Sequence, residues 1–250
     1  MRTLTWDADR VQGWVDRFEA VMAGHVPWRA EAHRLALDLL RASGATESVL
    51  DLGCGAGSLS RWLVDQAPTA SVTALDWDPA MATLAAAHLH GRVLVREQDL
   101  TAPGWGTTGW AACSAAVSSS VLHMVGVAGY GRVAREVAAA VAPGGLFVDI
   151  DELPVEPGGR LADVCATLRG RALEAHLAHG GESYQQWITA LCAEPGMGPA
   201  AALRQERFAG RAEEVPASLA QRTAALLTAG FREVAVVERR LDVAVLVALR

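Results

Sequence analysis

Residues 48–59 read Ser48-Val49-Leu50-Asp51-Leu52-Gly53-Cys54-Gly55-Ala56-Gly57-Ser58-Leu59, and this stretch decides the fold. Its first five residues are an apolar run bounded by turn formers, the pattern of a parallel strand buried on both faces. Glycine then recurs at every second position. Ser58 stands where a helix cap belongs, and Leu59, Trp62 and Leu63 follow at helical spacing. A strand, a glycine-rich bend and a helix start set unpaired backbone N–H groups and the positive end of a helix dipole beside a strand end. Such a bend receives a nucleotide or a carboxylate, although alone it can equally be a simple turn.

The same alternation repeats downstream. Residues 72–76 predict a second strand, and Asp78-Pro79 opens an alanine-rich helix that runs to about His90. Residues 92–95 predict a third strand running into Gln98-Asp99-Leu100, and residues 111–118 a fourth. A helix over 128–141 is stopped by Pro143-Gly144-Gly145, and residues 146–150 predict a fifth strand. Strands and helices in alternation imply parallel β-α-β units with right-handed crossovers. After Leu153 the pattern changes to helices near 160–179, 184–193 and 199–210, then a helix over 219–229 ended by Gly230. The apolar runs 234–237 and 243–249 predict an antiparallel pair at the sheet edge.

Two acidic residues sit at the ends of the next strands. Asp76 follows Gly57 by 19 residues and closes the second strand, where a carboxylate can accept both hydroxyls of a ribose. Asp99 lies past the third strand, where a carboxylate can accept from an exocyclic amine. The dinucleotide fingerprint G-x-G-x-x-G is not met, because Ser58 and Leu59 occupy the place of its last glycine. The loop therefore suits a ligand without a pyrophosphate.

With these residues in view, VLDLGCGAG, ALDWDPAM, REQDL and APGGLFVDID resemble the class I S-adenosylmethionine-dependent methyltransferases, of the bacterial small-molecule type. The resemblance covers residues 45–152 with specific motifs and extends loosely to the end through GFREVAVVERR and LDVAVLVALR. It implies an α/β fold: a Rossmann-like doubly wound, mostly parallel seven-stranded sheet with an antiparallel edge strand and a helical cap. It implies S-adenosylmethionine as cofactor, leaving S-adenosylhomocysteine as product. Asp51, Gly53, Gly55 and Gly57 are then expected at the methionine part, Asp76 at the ribose, and Asp99 with the Leu100 backbone at the adenine. Trp77 stacks on adenine or packs in the core, and Ser118 is grouped with the cofactor-binding residues. Asp51 has a second reading as a cap within the loop, and Asp78 is read as a helix cap. One domain over 1–250 is expected: an N-terminal lead-in or lid (1–45), a cofactor-binding core (46–153), an inserted helical cap (154–217), and a last helix with two edge strands (218–250).

Methyl transfer from a sulfonium needs an oriented nucleophile, exclusion of water and, where the nucleophile carries one, removal of a proton. His123, after the fourth strand, is the candidate general base, with a packing role as the alternative. The lead-in and inserted helices hold Trp14, Phe18, His25, Trp28, His176, His179, Tyr184 and Trp187, read as a lid. His176 and His179 lack a third ligand, so no metal is assigned. The tract Asp149, Asp151, Glu152 is left open as a site for a metal or an amine substrate.

Composition narrows the partners. The 250 residues are 51% hydrophobic with a net charge of −6, which argues against disorder and against nucleic acid. All 22 basic residues are arginine, so no lysine nucleophile or Schiff base is available. No apolar run reaches the roughly 18 residues of a membrane span. The N-terminus lacks the apolar core of a signal peptide, and a cytoplasmic location is expected. The four cysteines stand far apart and are expected to be free thiols. The expected partner is a small-molecule substrate, and the choice between monomer and homodimer stays open. The other readings are a non-methylating S-adenosylmethionine binder and an NAD(P)-dependent oxidoreductase.

Overall fold

The computed structural model describes residues 4–153, 159–211 and 214–250. Helices α1 (Ala8–His25) and α2 (Arg29–Ala42) lead into β1 (Ser48–Leu52), α3 (Ser58–Gln66), β2 (Ser71–Asp76), α4 (Pro79–Leu89), β3 (Leu94–Glu97), β4 (Cys113–Ser119), α5 (Gly126–Ala140) and β5 (Val141–Glu152). Then come α6 (Arg160–Ala178), α7 (Tyr184–Ala193), α8 (Gly198–Phe208), α9 (Leu219–Ala229), β6 (Glu233–Arg240) and β7 (Val243–Leu249). The strands form one seven-stranded sheet in the order β3-β2-β1-β4-β5-β7-β6.

β1 to β5 are parallel, and β7 pairs antiparallel with both β5 and β6. The closing runs thus make the expected antiparallel pair, with the reversed strand β7 one place in from the edge. β1, β4 and β7 are almost wholly buried, whereas the edge strands β3 and β6 carry exposed and half-buried residues along their length. Val141 already pairs with Cys113, so the fifth strand starts before Pro143-Gly144-Gly145, which forms an irregularity within it.

One face of the sheet is covered by α2, α3 and α4 through Leu37, Leu40, Leu59, Leu63 and Leu89. The other is covered by α5 and α9 through Tyr130, Val133, Val137 and Leu226. A third apolar cluster joins Trp14 and Phe18 of α1 to Met81 and Leu84 of α4 and to Trp187 and Leu191 of α7. The order in which strands are added reverses between β1 and β4, which are themselves parallel. In a doubly wound sheet that switch point opens a crevice at the carboxyl ends of the strands, and ligands bind there. Among the described residues no helix is long and apolar enough to cross a membrane. All four cysteines are free.

Candidate functional site

The glycine bend is tied to β2 before any side chain is considered. The amides of Gly53 and Cys54 both donate to the Leu75 carbonyl, at 2.7 and 3.0 Å. Gly53 has φ +73°, in the left-handed region, and its Cα faces the Val121 side chain so closely that a Cβ would strike both methyls. Next, the Gly55 amide donates to Asp76 Oδ2 and the Asp78 amide to Asp76 Oδ1, each at 2.8 Å. Burial pushes Asp76 up to about 7 against the pull of those two amides. Asp78 caps α4 through the Ala80 amide at 2.9 Å, as its sequence position predicts.

Asp51 is 1% exposed and accepts a 2.6 Å hydrogen bond from the Ser60 hydroxyl of α3. Burial raises it to about 6, opposed by Ser60 and by the charge of Arg29. Its partner is thus a side chain of the following helix and not a loop amide. Past β3, Asp99 Oδ1 accepts from both the amide and the hydroxyl of Thr101, at 2.8 and 2.7 Å. Among the described residues neither Asp99 Oδ2 nor the Leu100 amide has a partner, which leaves an acceptor and a donor side by side. The Trp77 ring packs 5.0 Å from Phe208 of α8, with the Arg211 guanidinium 4.7 Å from its centre. Arg207 donates to the Trp77 carbonyl and to Glu97, and Arg204 pairs with Asp78 at 2.6 Å. The inserted helices therefore close over the ends of β2 and β3.

At the other side of the switch point, Ser118 is fully buried and its hydroxyl donates to the Leu52 carbonyl at 3.1 Å, bracing β4 against β1. His123 lies in a short 3₁₀ turn (Leu122–Val125), with Nδ1 2.7 Å from Asp151 Oδ1. Arg222 of α9, fully buried, holds Asp149 at 2.8 Å and Asp151 at 3.0 Å, and the Tyr130 hydroxyl donates to Asp149 at 3.0 Å. Burial alone would lower His123, but the hydrogen bond and charge of Asp151, with Glu152, raise it. Among the described residues its Nε2 has no partner.

Residues 49–145 match the sequence model of a family described as a methyltransferase domain. Over that stretch the chain is similar to a methyltransferase domain, and the stretch lies on the sheet of order 3-2-1-4-5-7-6. The chain also has likenesses among solved structures. Human N-acetylserotonin methyltransferase in complex with S-adenosylmethionine aligns with TM-score 0.55 at 17% identity, over 95% of this chain and 56% of that one. An O-methyltransferase family protein from Burkholderia thailandensis gives 0.53 at 16% identity, over 89% of this chain and 58% of that one. DesVI of Streptomyces venezuelae gives 0.58 at 17% identity, over 98% and 99% of the two chains. At such identities these likenesses concern the fold. The chain spans little more than half the length of the first two. No curated protein sequence matches it.

The residues present fit S-adenosylmethionine. Asp76 is a buried acceptor at the end of β2 beside the glycine bend, and Asp99 with Leu100 offers the acceptor–donor pair that an adenine edge complements.

Three further groups of residues have partners within the chain. The tract Asp149, Asp151, Glu152 is engaged internally: Arg222 takes the two aspartates and Arg169 takes Glu152 at 2.6 Å. His176 Nε2 and His179 Nδ1 bond the carbonyls of Glu182 and Ala175, at 3.1 and 2.7 Å, and among the described residues no cluster of three or more His, Cys, Asp or Glu could hold a metal. The aromatics of the lead-in form packing contacts, Trp14 and Phe18 against Trp187 at 6.1 and 5.0 Å. Sequence reasoning missed Arg222, although a signal existed: it falls at helical spacing between the partly buried Leu219 and the buried Leu226 of α9, where a charge needs a buried partner.

Proposed function

We propose that this chain moves the methyl group of S-adenosylmethionine to an oxygen, nitrogen or carbon nucleophile of a small-molecule metabolite, with His123 as general base. The observation that carries the reading is the His123–Asp151 pair beside the end of β4, across the switch point from Asp76. When bound, S-adenosylmethionine supplies an already activated methyl group, so the chain's task is positioning and proton removal. Gly53, Gly55 and Gly57 line the methionine part, with Asp51 behind them as the brace of α3. Asp76 accepts from the ribose hydroxyls, and Asp99 and the Leu100 amide meet the adenine edge. Trp77, held by Phe208 and Arg211, walls the adenine, and Ser118 fixes the strand end under the reacting groups.

His123 presents Nε2 to the acceptor while Nδ1–H donates to Asp151. That fixes the tautomer and orientation, and Asp151 stabilises the imidazolium formed when the acceptor proton arrives. Water is kept out by α1, α7 and α8, whose Phe18, Trp187 and Phe208 roof the crevice. The chain acts as a single catalytic domain in this reading, with residues 1–45 and 154–217 as its lid; residues 1–3, 154–158 and 212–213 lie outside the described structure.

The test has two stages. Thermal unfolding with S-adenosylhomocysteine against NADP comes first: ligand at 100 times its Kd adds about 2.7 kcal/mol, and stabilisation by NADP alone sinks the reading. Incubation of metabolite extracts with methyl-labelled cofactor then asks for transfer. Binding without any labelled product would favour a non-methylating role.

A further inference from the structure

Helix α6 has two faces that the fold uses differently. Its inward row is engaged: Arg169 pairs with Glu152 at 2.6 Å and Asp242 at 3.3 Å, and the His176 ring lies against Gly24 and Gly181. Its outward row is not. Leu161, Val164 and Leu168 are 70%, 45% and 41% exposed, and none of the 19 residues of the helix is buried. They recur at steps of three and four residues, which makes one continuous stripe, with the exposed Ala175 further along it. Single exposed apolar residues are ordinary, but a contiguous row marks a surface that another surface covers.

The charges beside the stripe identify that surface. Arg160, Asp163, Arg171 and Glu174 stand exposed, and among the described residues none of them is in an ion pair. Their signs run plus, minus, plus, minus along the helix, and the reverse when read from the other end. An antiparallel copy of the same helix therefore brings opposite charges together at all four places. With the two-fold axis at Leu168, Asp163 falls within two residues of the partner's Arg171, and Arg160 within two of the partner's Glu174, about 3 Å along the axis. The same axis sets Leu168 on its own copy, Val164 on the partner's Ala172 and Leu161 on the partner's Ala175. Ala172 and Ala175 line an open cavity of about 680 Å³, together with Ala23, Gly24 and Pro27 around the end of α1. The most exposed leucine of the stripe thus meets a hollow walled by small residues, and it does so reciprocally, as an isologous contact requires.

We infer that α6 is the contact surface of a homodimer, in which two copies of the helix pack antiparallel about Leu168. The apolar stripe and the leucine in its hollow supply the affinity. The charges fix the direction, since exposed ion pairs add little energy whereas like charges repel. A helix of this length spans about 28 Å, and with its flanking hollow the pair covers on the order of 1,000 Å², the low end for specific interfaces. Association is therefore expected in the micromolar range. Because Arg169 ties the same helix to the end of β5, pairing also braces the cover of each crevice. Nothing in this contact depends on what the crevice binds.

Sedimentation velocity of the whole chain over a concentration series tests it. The wild-type chain should pass from monomer to dimer. Leu168→Glu sets two carboxylates together on the axis and should weaken association by about tenfold or more. Glu174→Arg should weaken it several-fold by placing like charges together, and adding Arg160→Glu swaps the signs and should restore most of the loss. All three positions are exposed, so the variants should fold, and the wild-type series stands by itself if one does not. A wild-type chain that stays monomeric through the micromolar range overturns the assignment. So does a dimer indifferent to Leu168→Glu, a loss in Glu174→Arg that the swap does not recover, or growth beyond the dimer. A monomer that instead pellets with vesicles of phosphatidylcholine and phosphatidylglycerol gives the face to a lipid surface and overturns it too.

Discussion

His123 Nδ1 stands 2.7 Å from Asp151 Oδ1, and the second oxygen of Asp151 is held 3.0 Å from Arg222 Nη1. The carboxylate is fully buried and kept ionised by the hydrogen bond from His123 and the charge of Arg222. A base works in its neutral form, so turnover should rise with pH through the His123 titration, which Asp151 and Glu152 lift above the ordinary histidine value of 6.5. His123→Ala should lower kcat by about 10²- to 10⁴-fold with little change in cofactor affinity. Asp151→Asn should move the acid limb of the kcat profile to lower pH, because the charge that holds the proton is gone. An unshifted limb in Asp151→Asn would remove the pair from the chemistry.

Asp76 makes a second pH dependence, of opposite origin. In the free chain burial holds its carboxyl up to about 7, so near neutrality a substantial fraction carries a proton. Ribose hydroxyls donate best to the ionised form, so binding should expel that proton. Affinity for S-adenosylhomocysteine should therefore increase as pH rises toward 7 and level off above it, falling by up to about tenfold per unit on the acid side. The same shift bears on stability. The native chain keeps a proton that the unfolded chain has already lost, so between the ordinary carboxyl value and about 7 the free protein should lose stability as pH rises. Calorimetry in buffers of different ionisation enthalpy checks the proton release. Asp76→Asn should bind weakly and without this pH dependence.

The core of the fold was legible because its signals are local. The apolar runs at 48–52 and 243–249 each report a single element, and they recur where expected. Boundaries moved where turn chemistry intervened. Residues 92 and 93 precede β3, because His90 and Gly91, both at positive φ, turn the chain first. The site was half legible. Asp76 and Asp99 lie at strand ends, so sequence order places them. The internal use of Asp149 and Asp151 depends on Arg222, 71 residues after Asp151, and no local pattern announces a pairing of that span. The clasp of Trp77 by Phe208 and Arg211 is hidden for the same reason.

Gly53 tests the bend itself. An alanine there must hold φ +73° and place its Cβ on both methyls of Val121. Left-handed backbone costs about 1–2 kcal/mol and overpacking about 1–3. Gly53→Ala should therefore lose about 2–5 kcal/mol in urea unfolding, together with most cofactor affinity. Val121→Ala on that background should recover the packing share of stability and leave the backbone share lost. Full recovery would mean that the positive φ carries no strain.

Trp187 joins the inserted helices to the lead-in, and it separates the roles of roof and sheet. The side chain is fully buried, packs 5.0 Å from Phe18 and 6.1 Å from Trp14, and donates through Nε1 to the Trp14 carbonyl at 3.2 Å. Phe18 in turn lies against Gly55, so the tryptophan supports the cover of the bend without touching the strands. Trp187→Ala should cost about 3–5 kcal/mol, the usual range for a large aromatic removed from a core. The loss should fall unevenly. Amide exchange should quicken in α1 and α7, while β1, β4 and β5, packed in separate clusters, stay protected. Saturating S-adenosylhomocysteine should restore protection to α1, because a ligand in the crevice rebuilds the surface that Phe18 covers. Uniform loss of protection across the sheet would show that the roof and the sheet unfold as one unit.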